Sequence, residues 1–120
     1  MHPFPSPADL QFLVGKALEN ISLRFWSFGF GFGGNVSITV EGDVQHIGAD
    51  GTLRQHNTDE DRLSPLMIHH LIGQTVRLLD VEPYCLTLTF DQGDRLRIPS
   101  DDGPFECGQI YDEAGRLKVF

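Results

Sequence analysis

Residues 6–41 can be laid over residues 64–99 without a gap, and this limits the fold more than any other feature of the chain. Ser6 meets Ser64, Pro7 meets Pro65, Leu13 meets Leu71, Gly15 meets Gly73 and Phe32 meets Phe90. The apolar register also agrees. Val14 falls on Ile72, Leu18 on Val76, Leu23 on Val81 and Trp26 on Tyr84, while Phe28 and Phe30 fall on Leu86 and Leu88. Ile38 and Val40 fall on Leu96 and Ile98. Each copy then reaches an acidic turn and a Gly-x-Leu, at Gly51-Thr52-Leu53 and Gly115-Arg116-Leu117, at a spacing that differs between the copies.

The shared pattern predicts shared parts. Ser6 or Ser64 caps a short helix and Pro7 or Pro65 opens it, where the missing N–H costs nothing. Gly15 and Gly73 fall where a left-handed residue ends a helix. Strands are predicted at about 17–25 and 75–82, then hairpins at about 27–32 with 36–41 and 85–90 with 94–99. The alternation in LTLTF and RLRI gives each strand one buried face. Further short strands are expected near 44–47, 52–55, 106–111 and 116–120. At 120 residues the chain suits one domain, residues 1–120, built from repeats at about 6–53 and 64–117. The predicted class is α+β and mostly antiparallel. Two helix-plus-three-strand units would be related by a pseudo-twofold axis, forming a curved sheet or partly closed barrel with two short helices. A two-chain version of the same packing, a homodimer, is an alternative.

Residues 29–35, GFGFGGN, match the spacing G-x-G-x-x-G. A dinucleotide turn needs a strand before these glycines and a helix after them. Here a strand runs through them and NVSITVE, another strand, comes next, so no cofactor is expected. The second copy has Thr87 and Thr89 where the first has Gly29 and Gly31. Glycine weakens a strand, so these two mark a bend, a close approach of a neighbouring group, or a docking face.

The formal net charge of −8 argues against nucleic acid as a partner, because phosphate binding rests on Lys and Arg, and it disfavours anionic membranes. No apolar stretch approaches the roughly 18 residues that span a bilayer. MHPFPSPADL lacks the pattern of a signal peptide, and two cysteines are too few for a disulfide framework, so a reduced cytoplasmic setting is expected. Acidic residues gather in loops, notably Asp59-Glu60-Asp61 and Asp101-Asp102. Such loops suit a basic protein partner.

The five histidines contain no H-x-x-x-H or HExxH, no Cys-x-x-Cys occurs, and no metal site is expected. His69 and His70 point to different faces of a helix. Their counterparts Gln11 and Phe12 place His69 at the surface and His70 in the core. A histidine with an acidic partner in a cleft stays open. Cys85, Cys107, Ser6 and Ser64 lack any motif that would make them nucleophiles.

The second copy, through Ile72-Gly73, the L-x-L-x-F hairpin with Gly93, R-L-R-I and Phe105-Glu106…Gln109-Ile110-Tyr111, resembles small bacterial domains of unknown function, several of them immunity-type proteins near toxins. The resemblance covers residues 71–117 and implies a small, cytoplasmic, non-enzymatic protein with no catalytic residues to carry over. The expected function is therefore a non-catalytic binding protein that meets a basic protein through its acidic loops or the Gly29/Gly31 face. The alternatives are a small-ligand or enzymatic domain, with an aromatic pocket between the copies built from Phe residues, Trp26, Tyr84 and one or two histidines, and a homo-oligomeric structural module.

Overall fold

A computed structural model describes residues 3–57, 68–101, 103 and 106–120. The described chain is mostly antiparallel β, in two five-stranded sheets. One sheet has the order β1 (Leu18–Leu23), β2 (Phe28–Phe32), β3 (Ser37–Val40), β9 (Gly108–Tyr111), β10 (Leu117–Val119). The other has the order β5 (Leu53–His56), β4 (Val44–Ile47), β8 (Arg95–Pro99), β7 (Cys85–Phe90), β6 (Val76–Glu82). The strands thus divide between two sheets and do not close into a barrel.

Each hairpin that comes after a three-stranded meander joins the sheet of the other meander. After β3 the chain crosses over, and β4 pairs with β8 rather than with β3. After β8 it crosses back, and β9 pairs with β3 from Ser37↔Tyr111 to Val40↔Gly108. The two sheets also meet at the starts of β1 and β6. Gly15 N–H donates to the Val76 carbonyl at 2.8 Å, and Gly73 N–H donates to the Leu18 carbonyl at 2.7 Å. Leu18 N–H reaches the Gln74 carbonyl and Val76 N–H the Lys16 carbonyl, both at 2.9 Å. Gly15 and Gly73 take φ of 89° and 94° there, a left-handed conformation that glycine adopts without penalty.

Helical structure is scarcer than expected. Pro7–Leu10 forms one α-helical turn, α1, with Ser6 as its cap: the Asp9 N–H donates to the Ser6 hydroxyl at 3.3 Å. Gln11–Leu13 tightens into a 3₁₀ turn before the chain straightens toward Gly15. Ser64 and Pro65, expected to open a second helix, lie outside the described residues. Ile68–Leu71, just beyond them in the chain, forms a 3₁₀ turn.

The core lies on the inward faces. Phe28, Phe30 and Phe32 of β2 are buried with Ile38 and Val40 of β3, and Leu86, Leu88 and Phe90 of β7 with Leu96 and Ile98 of β8. Leu10, Leu13, Ile68 and Leu71 complete it from the short helical turns. Period-two alternation is the cause: β7 reads half-buried, buried, half-buried, buried along its length. No helix among the described residues is long and apolar enough to cross a membrane.

Candidate functional site

One buried polar cluster interrupts this apolar interior. His46 is central in β4 (Val44–Ile47), whose alternation turns Val44 and His46 inward. Asp94 sits in the β7–β8 turn, just after Gly93 at φ 94° and just before β8. The turn is closed by Phe90 N–H donating to the Asp94 carbonyl at 2.8 Å. His70 comes from the 3₁₀ turn, and Gln74 lies next to Gly73 at the junction between sheets. One strand and two local turns therefore aim four side chains at one point from three separate stretches of chain.

Asp94 Oδ1 receives both imidazoles, His46 Nε2 at 3.0 Å and His70 Nε2 at 2.9 Å. Its Oδ2 accepts from Gln74 Nε2 at 3.0 Å. Gln74 Nε2 also donates to the His70 carbonyl at 3.3 Å. The two imidazole centres are 4.8 Å apart. Burial pushes Asp94 up, but the hydrogen bonds from His46, Gln74 and His70 together outweigh it and hold the carboxyl down at about 2. Asp94 is therefore a carboxylate near neutral pH, and both imidazoles present Nε2–H to it.

His46 and Gln74 are buried, and His46 Nδ1 and Gln74 Oε1 have no hydrogen-bond partner among the described residues. A buried polar atom left unsatisfied costs about 1–3 kcal/mol. Apolar residues fall on two of the cluster's positions when residues 6–41 are laid over 64–99. Val36 replaces Asp94 in the repeat alignment and is buried, and Phe12 replaces His70. Ile110 of β9 faces Ile38 as His46 of β4 faces Leu96, and Ile110 is fully buried.

His70 differs from the core position expected for it: 47% of its side chain is exposed. Together with Asp94 it opens on a cleft of about 350 Å³, also lined by Gly48, Asp50, Arg54 and Gln92. Asp50 lies on the wall, its Oδ1 accepting the Thr52 N–H at 2.9 Å, and that bond keeps its carboxyl below the usual range.

Gly29, Gly31, Trp26, Tyr84 and Asp101, singled out from sequence, lie elsewhere. Gly31 pairs with Asn20 across β1 and β2, and a Cβ on it would sit 2.6 Å from Asn20 Nδ2. Gly29 pairs with Ser22, and a Cβ there would sit 3.2 Å from Ser22 Cβ. The missing side chains make room for neighbouring side chains of the same sheet, the close approach expected from the sequence. Trp26 is 61% exposed and packs edge-to-face on Phe25 at 4.7 Å, in the β1–β2 turn. Tyr84 is 40% exposed in the β6–β7 turn. Trp26 and Tyr84 thus stand in separate turns, both exposed. Asp59, Glu60, Asp61 and Asp102 lie outside the described residues.

Asp101 is exposed, and its Oδ1 accepts the Gly103 N–H at 2.8 Å. Near it, Gln109 Nε2 of β9 donates to Glu41 Oε2 and to Glu106 Oε2, both at 2.8 Å. Burial pushes the adjacent Cys107 thiol up, and the Asp101 and Glu41 charges add to the rise. No Lys or Arg among the described residues forms an ion pair with Glu41, Glu106 or Asp101. Cys85 and Cys107 are free thiols.

Sequence reasoning passes over His46, Asp94 and Gln74 as site residues. One signal for the cluster was within reach: where the repeats are superposed, polar Asp94 and His70 take stations filled by Val36 and Phe12. No protein-family model matches the chain, and no curated protein matches its sequence.

Proposed function

We propose that the protein is a non-catalytic binding protein that captures a basic protein partner through its acidic surface. The observation that carries this reading is the convergence of Glu41 and Glu106 on one Gln109 amide, with Asp101 alongside and no Lys or Arg among the described residues ion-paired to any of the three. Two carboxylates held that close repel each other, and a cation from outside would relieve the repulsion. Electrostatic steering by such a surface speeds encounter with a positive partner. The net charge of −8 points the same way, and the resemblance of residues 71–117 to bacterial immunity-type proteins supports a cytoplasmic setting.

We further infer that the chain arose by duplication of a helical turn plus three strands, with pseudo-twofold symmetry. Several paired features support this. Gly15 to Val76 and Gly73 to Leu18 are hydrogen bonds that exchange under the repeat alignment. The register slips between Leu18 and Asn20 in β1 and between Val76 and Leu78 in β6, at aligned positions.

The test is charge reversal. Glu41→Lys, Glu106→Lys and Asp101→Lys, combined, should abolish capture of partner from a host lysate, while exposed substitutions of this kind change stability by only about 0.5 kcal/mol each. Capture by the unaltered protein should also fall as salt is raised. Undiminished capture by a stably folded triple variant removes the acidic surface as the site.

A further inference from the structure

We propose that His46, His70 and Asp94 form a binding site for a divalent transition-metal ion of the zinc type, with one coordination position open to the cleft. The ligands would be Nε2 of each imidazole and the Asp94 carboxylate.

The spacing of the donor atoms suits such an ion. The three candidate ligand atoms lie within 4.8 Å of one another. The two nitrogens stand 3.0 and 2.9 Å from the same carboxylate oxygen. A tetrahedral ion with bonds of about 2.0–2.2 Å spaces its ligand atoms at about 3.3 Å. The carboxylate-to-imidazole edges therefore open by a few tenths of an ångström, and the remaining edge closes by a turn of the half-exposed His70 ring. His46 and Asp94 are buried and fixed by the sheet and the turn, so two of the three ligands are already oriented.

Ligand chemistry selects the ion. Two imidazoles and one carboxylate suit zinc and its neighbours, whereas magnesium and calcium call for oxygen ligands. Gln74 supplies the outer contact that such sites use, holding Oδ2 so that Oδ1 faces the imidazoles. Binding a neutral imidazole through Nε2 requires its proton to move to Nδ1 or to leave. Three protein ligands leave a position for water or a donor atom of an outside molecule, and His70 and Asp94 place that position on the cleft.

Composition of the fold supports the same conclusion. Val36 and Phe12 fall on the Asp94 and His70 positions when residues 6–41 are laid over 64–99, and Ile110 faces Ile38 as His46 faces Leu96, so packing alone does not call for polar groups here. The four polar residues come from three separate segments, His46 and Asp94 being 48 positions apart and His70 and Asp94 24 apart.

The experiment uses the full chain, free of any affinity tag and stripped with chelator. Calorimetric titration with zinc chloride should show a single site per chain, and cobalt(II) should develop the intense visible absorption of a tetrahedral N/O site. His70→Ala, at a half-exposed position, should keep the far-ultraviolet circular dichroism of the parent and weaken zinc binding by at least ~10-fold, since even outer-shell changes cost that much. Asp94→Asn should do the same, and His69→Ala, one residue away, should bind zinc like the parent. Absence of saturable zinc binding overturns the proposal, as does unchanged binding by folded His70→Ala or an equal loss in His69→Ala.

Discussion

Asp94 accepts hydrogen bonds on both oxygens from groups that are themselves mostly buried, and its acidity results from that. Its carboxyl is held at about 2 against an ordinary 3.8. A depressed carboxylate stabilises the fold above the ordinary value and loses that contribution as pH falls through the folded one. The window is therefore from 3.8 down to about 2, and at roughly 1.4 kcal/mol per unit the contribution is about 2 kcal/mol. Urea denaturation of metal-free protein should show Asp94→Asn losing less stability than the parent across that window, by about 2 kcal/mol. Equal acid sensitivity in the two proteins would assign the loss to other carboxylates. This cluster was barely legible in the sequence because histidine motifs are local spacings, whereas His46 reaches Asp94 across 48 positions. Gly31 shows the opposite limit. Its strand and outward face were legible, but the Asn20 side chain that fills the space beside it comes from the register of β1 on β2.

The junction between sheets rests on two glycines at φ 89° and 94°. A Cβ built at Gly15 or Gly73 meets nothing within 4 Å, so replacement by alanine tests backbone conformation alone. Each replacement should cost about 1–2 kcal/mol, the penalty of a left-handed L-residue. Gly42, which has ordinary φ and equally open space, serves as the control, and its alanine variant should be neutral or slightly stabilised. Denaturant midpoints would check all three. Strand positions were legible at this scale because period two marks a buried face, as in β7 and β8. Partner choice was not. Alternation in Val44–Ile47 says that Val44 and His46 face inward, and says nothing of whether the neighbour is β3 or β8. Helix length was not legible either, because Ser-Pro fixes a cap and a first turn and leaves the number of turns open.

At the scale of the molecule, neither half holds its own sheet. Residues 1–57 contain β4 and β5 without the β8 edge they need, and leave β3 without β9. Fragments 1–57 and 58–120 should each lack a cooperative unfolding transition, and mixing them should restore a 1:1 folded complex, visible by circular dichroism and size-exclusion chromatography. A cooperatively melting monomer of 1–57 would contradict this interlocked arrangement. The exchange also sets a schedule on the ribosome. β3, Ser37–Val40, is complete long before its neighbour β9 begins at Gly108, a gap of about 68 residues (108 − 40). At roughly 5–20 residues per second, that segment waits roughly 3–14 s for its partner to be synthesised. During that interval the nascent chain carries an open, β-prone edge, Ser-Ile-Thr-Val, of the kind that recruits other strands. Elongation rate is thus a physical variable in the yield of this protein, and slowing it lengthens the exposure of that edge.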